Sequence, residues 1–158
     1  MAKHRSVTSA ILAILLVTAS AAAAAEILPD KNLTGGSVRT GDAAIACHSG
    51  ATKESRGRLT HARRDEVLRR YGLPPGMHPD YEIDHLIPLC AGGSDDASNL
   101  WPQPRSTVEN KWNAEAKDRL EHRLCRMICS GAIEIGVAQE AFATDWIAAY
   151  LIYFEKPH

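Results

Sequence analysis

The sequence predicts an α+β domain: a very small antiparallel β-hairpin followed by a helix, packed with additional helices and braced by disulfides. Three observations carry this. Two short apolar runs, YEIDHLIPL (81–89) and NLWP (99–102), flank the turn text AGGSDD (91–96). A long amphipathic helical pattern follows them, and four cysteines are spread along the chain. At 158 residues, 45% hydrophobic and 23% charged, the chain amounts to one ordinary domain, which excludes a disordered, collagen-like or multi-span membrane protein.

Taken in order, the first 25 residues are an address. Lys3 and Arg5 precede an apolar run (10–17) and an alanine stretch (21–25), the pattern of a secretory signal peptide cleaved before Glu26. The alternative, an uncleaved anchor, has an apolar run short of the roughly 20 residues that span a bilayer. The expected product is exported, periplasmic or secreted, with no membrane association after cleavage. Its 133 residues carry 16 Lys/Arg against 19 Asp/Glu, a net −3.

Residues 26–58, rich in Gly, Thr and Ser, read as an irregular arm pinned at Cys47, ahead of a domain over 59–158. Thr60 caps a helix over 61–71 with Val67, Leu68 and Tyr71 inward and Gly72 as its stop. LPPGMHPD (73–80) is a loop before the hairpin. Ser106 and Glu109 form a capping box that predicts a helix over 107–129. Trp112, Ala116, Leu120, Leu124 and Ile128 form its buried stripe, and Gly131 ends it. A last helix over 137–154 buries Val137, Phe142, Trp146 and Tyr150. Trp101 and Trp112 read as core, and His48, His61, His78 and His122 as surface residues.

An exported chain meets oxidising conditions, so Cys47, Cys90, Cys125 and Cys129 read as disulfides before metal ligands. Cys125 and Cys129 lie one helical turn apart and point the same way, which disfavours their pairing. Two schemes remain, of which Cys47–Cys129 with Cys90–Cys125 is preferred. One bridge with two buried thiols is the alternative.

Asp84 and His85 are adjacent in a predicted strand, where a regular backbone turns them to opposite faces. An imidazole with a pKa near 6.5 can take a proton at neutral pH, and a carboxylate suits a hard divalent cation. The segment YEIDHLIPLCAGGSDDASNLWPQ (81–103) resembles the HNH nucleases, the ββα-metal or His-Me finger group. The shared features are the Asp84–His85 pair, the Ile87–Pro88 step, the Gly92–Gly93 turn and Asn99, fourteen residues beyond His85.

The resemblance implies His85 as the general base that activates water, Asp84 as a metal ligand and Asn99 as the residue orienting His85. It also implies a second ligand from the next helix. The usual spacing falls on Val108, which cannot ligate. Asn110 and Asn113 lie just beyond on one helix face, so Asn113 is taken as the ligand, Asn110 as reserve and Lys117 as a neighbour of the phosphate. NAEAKDRLE (113–121), with later segments, is similar to a subset of exported bacterial HNH-like proteins, and the core motif spans 81–121.

The expected activity is therefore metal-dependent endonucleolytic hydrolysis of DNA, with RNA as the other substrate. Mg²⁺ is the favoured ion, ahead of Mn²⁺, Ca²⁺ or Zn²⁺. Residues 53–70 carry a local +4 charge that can track phosphates, with Arg63, Arg64, Arg69 and Arg70 as candidate contacts. The rival expectations are an exported HNH-like binding or structural module without catalysis, and a secreted toxin-type nuclease that needs a partner.

Overall fold

In the computed structural model, which describes residues 27–48 and 59–155, β1 (Tyr81–His85) pairs antiparallel with β2 (Leu100–Pro104). Asp84 lies opposite Trp101 and His85 opposite Leu100. β1 stops at His85, four residues short of the expected end. Leu86 still donates to the Asn99 carbonyl, but Pro88 has no N–H and a 3₁₀ turn, Leu89–Ala91, follows. β2 runs two residues further than expected. Its Pro102 and Pro104 are tolerated because each strand of a two-stranded sheet keeps an open edge.

The turn between the strands depends on its glycines. Gly92 has φ +79°, and a Cβ there would sit 2.2 Å from the Thr40 carbonyl oxygen. A Cβ on Gly93 would lie 1.9 Å from the Ile87 carbonyl oxygen. Backbone meets backbone at both positions, so no larger residue fits.

The arm is mostly irregular, with one helical turn, α1 (Ala43–Ala46), capped by Asp42, and a bridge from Val38 to Gly93. Helix α2 (His61–Arg70) starts as expected, with Thr60 Oγ1 accepting from the Arg63 N–H, and buries Val67 and Leu68. These two residues, with Tyr81, Ile83 and Leu100, form a small core against the sheet.

Helix α3 (Ala114–Cys129) starts seven residues later than expected. The Ser106–Glu109 text makes a turn instead: the Glu109 carboxylate accepts from the N–H groups of Lys111 and Trp112. Asn113 is the actual cap, its Oδ1 accepting from the Ala116 N–H at 3.0 Å. The stripe of Ala116, Leu120, Leu124 and Ile128 is buried as expected, whereas Trp112, expected at its head, lies before the helix and is half-buried.

Helix α4 (Ile135–Phe154) begins two residues before the expected start, which puts Ile135, Ala138 and Phe142 on its inner face. Val137 is therefore turned outward and 55% exposed, contrary to expectation. At Asp145 the backbone leaves helical geometry, and that carboxylate recaps the chain by accepting from Ile147 and Ala148. Phe142 and Trp146 reach the main core with Leu86, Ile87, Trp101 and Leu120, while Tyr150 is half-buried against Trp112.

Both preferred disulfides are formed. Cys47–Cys129 ties the end of α1 to the end of α3, and Cys90–Cys125 ties the turn after β1 to α3 one turn before that end. The expected signal segment and its expected cleavage point lie outside the described residues. No helix among the described residues is long and apolar enough to cross a membrane.

Candidate functional site

Side chains alternate along β1: Tyr81, Ile83 and His85 are buried, and Glu82 and Asp84 are half-buried on the other face. The strand's end opens into a cleft of about 400 Å³. Asp84, His85, Arg64, Arg105, Asp118 and Glu121 are among its lining residues.

On the Asp84 side, Lys117 projects from α3 and is fully buried. Its ammonium donates to Asp84 Oδ2 and to the His85 carbonyl, both at 2.7 Å, and to Glu121 Oε1. An all-oxygen cradle thus closes on a fixed cation between strand and helix. Lys117 has no exposed surface with which to meet a phosphate directly.

On the His85 side, ring Nε2 lies 2.9 Å from Asp95 Oδ1, with the two side chains 7% and 17% exposed. Asn99 is fully buried, and its side-chain hydrogen bonds go to backbone groups rather than to the ring. Its Oδ1 accepts from the Ile87 N–H at 2.9 Å, and its Nδ2 donates to the carbonyls of Ile87 and Ser94. The asparagine thus clasps the backbone on either side of the glycine turn, and Asp95 contacts the imidazole.

Four carboxyl groups crowd this cleft. Burial, then repulsion from Asp84, raises both Glu82 and Asp118 above the usual carboxylate range. Glu121 is pushed up to about 8 by burial, with Asp84 and Asp118 adding to the shift against the pull of Lys117. Lys117 is held above its ordinary value: burial opposes its charge, but Asp84 and Glu121 outweigh that. Arg105 pairs with Glu82 at 3.0 Å, where both are more than a third exposed.

The other expected site residues are dispersed. Asn113 is buried, its oxygen capping α3 and its Nδ2 donating to the Glu109 carbonyl, and Asn110 is exposed; neither lines the cleft. Of the α2 arginines only Arg64 lines it. Arg63 donates to the Asp95 carbonyl, and Arg70 donates to the carbonyls of Ala97 and Leu33, both at 2.9 Å. Arg69 is exposed. Lys53, Arg56 and Arg58, part of the basic stretch, lie outside the described residues. His78, expected at the surface, is half-buried against Asp65 at 3.0 Å.

Sequence reasoning missed Glu82, Asp95, Arg105 and Glu121. Glu121 carries a usable signal: it stands at i+4 from Lys117, which itself falls next to the buried stripe. No protein-family model matches this chain, and no curated protein or solved structure matches it either.

Proposed function

We propose that this protein is an exported, metal-dependent phosphodiesterase of the HNH type that hydrolyses DNA or RNA outside the cytoplasm. The observation that carries the reading is the cleft itself, where an imidazole held by a carboxylate shares one wall system with crowded carboxylates and two arginines. The order hairpin then helix, with Asp84 and His85 at the strand's end, supports a ββα-metal finger. Two disulfides agree with an oxidising compartment.

The donor chemistry fits a hard divalent cation such as Mg²⁺, because the cleft offers several carboxylates side by side, with Glu82 and Asp118 raised by burial first and by the Asp84 charge second. Asp84 and Asp118 would hold it, with waters completing its shell. Such an ion, when bound, would neutralise charge developing on the phosphoryl and leaving oxygens. His85 takes the proton of the attacking water, and Arg64 and Arg105 bind the flanking phosphates.

The mature protein, incubated with plasmid DNA or RNA and Mg²⁺, is expected to cleave. EDTA or His85→Ala should abolish cleavage, and activity that survives His85→Ala would refute the assignment. A second reading, a DNA-binding module without catalysis, is favoured by one specific observation. Lys117 already engages Asp84, and among the described residues no group of three or more His, Cys, Asp or Glu is disposed to hold a metal ion. A salt-sensitive DNA shift without cleavage would select that reading.

A further inference from the structure

We infer that Asp95 holds His85 as the Nε2–H tautomer, which makes Nδ1 the nitrogen that accepts the proton. Asp95 is then a positioning residue for the reaction proposed above. The inference rests on that reading only in what it says about rate.

A neutral imidazole carries one N–H and one lone pair, and an ionised carboxylate can only accept. With Nε2 2.9 Å from Asp95 Oδ1, the hydrogen of the neutral ring belongs on Nε2 and the lone pair on Nδ1. Turning the ring over would set a C–H against the carboxylate and lose the bond. His85 is nearly buried, so the ring cannot obtain an equivalent partner from solvent.

Asp95 is itself presented by a fixed turn. Ser94 accepts through its carbonyl from Asn99 Nδ2 at 2.8 Å, and its Oγ accepts from the Asp96 N–H at 3.1 Å. The Asp95 carbonyl accepts from the Arg63 guanidinium on α2. Gly93, which only a glycine can fill, lets this turn approach the Ile87 backbone. Asn99 and Arg63 therefore reach His85 through the turn that carries Asp95, so Asn99 orients the ring by relay rather than by direct contact.

The test uses the full mature, disulfide-bonded chain labelled with ¹⁵N, at a pH where the imidazole is neutral. The pyridine-type nitrogen of His85 is expected to be Nδ1, with a downfield, slowly exchanging Nε2–H proton. Asp95→Ala should remove that slow proton and lower kcat by about 100-fold, because a misplaced base loses most of its effect. KM should stay within about twofold. Asp95→Asn should restore part of kcat, since its amide oxygen can still accept.

Asp96→Ala loosens the same turn without touching the ring. It should keep the proton signal and hold kcat within about threefold of the parent. A pyridine-type Nε2 in the parent protein overturns the inference, as do equal losses in Asp95→Ala and Asp96→Ala. A parent protein that shows the spectroscopic signature but cleaves no nucleic acid refutes the functional reading and leaves the tautomer standing.

Discussion

The ammonium of Lys117 lies 2.7 Å from Asp84 Oδ2 with no exposed surface of its own, so the strand's carboxylate and the helix's cation are locked together. Breaking a buried pair from one side leaves the remaining charge uncompensated, at a cost of about 3–5 kcal/mol. Lys117→Met should therefore destabilise the protein by about 3 kcal/mol, read as a fall in the urea midpoint. Adding Glu121→Gln should recover part of that loss, because one fewer carboxylate is left facing its neighbours. A loss below about 1 kcal/mol for Lys117→Met would show that water already screens the cluster.

The same cluster sets a pH dependence. Glu121 has an ordinary pKa of 4.5 and is raised in the fold to about 8, by burial first and then by Asp84 and Asp118. Between those values the folded state binds a proton that the unfolded state has released. The contribution to stability is complete below the unfolded pKa and is lost as pH rises through the folded one. Glu82 and Asp118 are shifted in the same direction. Denaturant midpoints at pH 5, 6.5 and 8 should fall in that order. Glu121→Gln should flatten the slope, and an unchanged slope in that variant would place the titration elsewhere.

The hairpin, α2 and the buried stripe of α3 were legible because each rests on a local rule: alternation, a Thr cap or an i+4 period. The one-turn spacing of Cys125 and Cys129 set aside only their own pairing and left two schemes, of which the preferred one is formed. The start of α3 was not legible, since Glu109 satisfies a capping pattern in sequence but spends its carboxylate on the next turn. Asp84 and His85 were found from their adjacency within a predicted strand and from the family resemblance of the segment 81–103. Asp95 was not, because in sequence it is one of two adjacent aspartates in a glycine turn. Only the folded turn decides that one meets His85 and the other Ser94. Lys117 and Glu121 look like an ordinary surface pair until packing buries the lysine.

The two disulfides should separate stability from activity. Cys47–Cys129 closes a separation of 82 residues and Cys90–Cys125 one of 35. Loop entropy makes the first worth about 4.5 kcal/mol and the second about 3.8 kcal/mol. Cys47→Ser/Cys129→Ser should therefore lower the melting temperature more. Cys90→Ser/Cys125→Ser should lower nuclease activity more, because Cys90 lies five residues after His85 and lines the cleft. Calorimetry beside the plasmid assay checks both, and a larger activity loss in the Cys47/Cys129 variant would contradict the assignment.

The arginines divide between the proposed substrate cleft and the scaffold. Arg64 lines the cleft, and its Nε donates to the Leu59 carbonyl at 3.2 Å, which leaves the rest of the guanidinium to meet a phosphate. Arg70 instead spends both terminal nitrogens on the carbonyls of Ala97 and Leu33, joining α2 to the turn and the arm. Each phosphate contact adds about one unit to the salt dependence of binding, through counterion release. Arg64→Ala should therefore weaken binding of a short DNA duplex and reduce the slope of log affinity against log salt by about one, with little change in the melting temperature. Arg70→Ala should lower the melting temperature while its slope stays at the parent value. Reversal of the two phenotypes would move the nucleic-acid path off the cleft and onto the outer face of α2, where Arg69 is exposed.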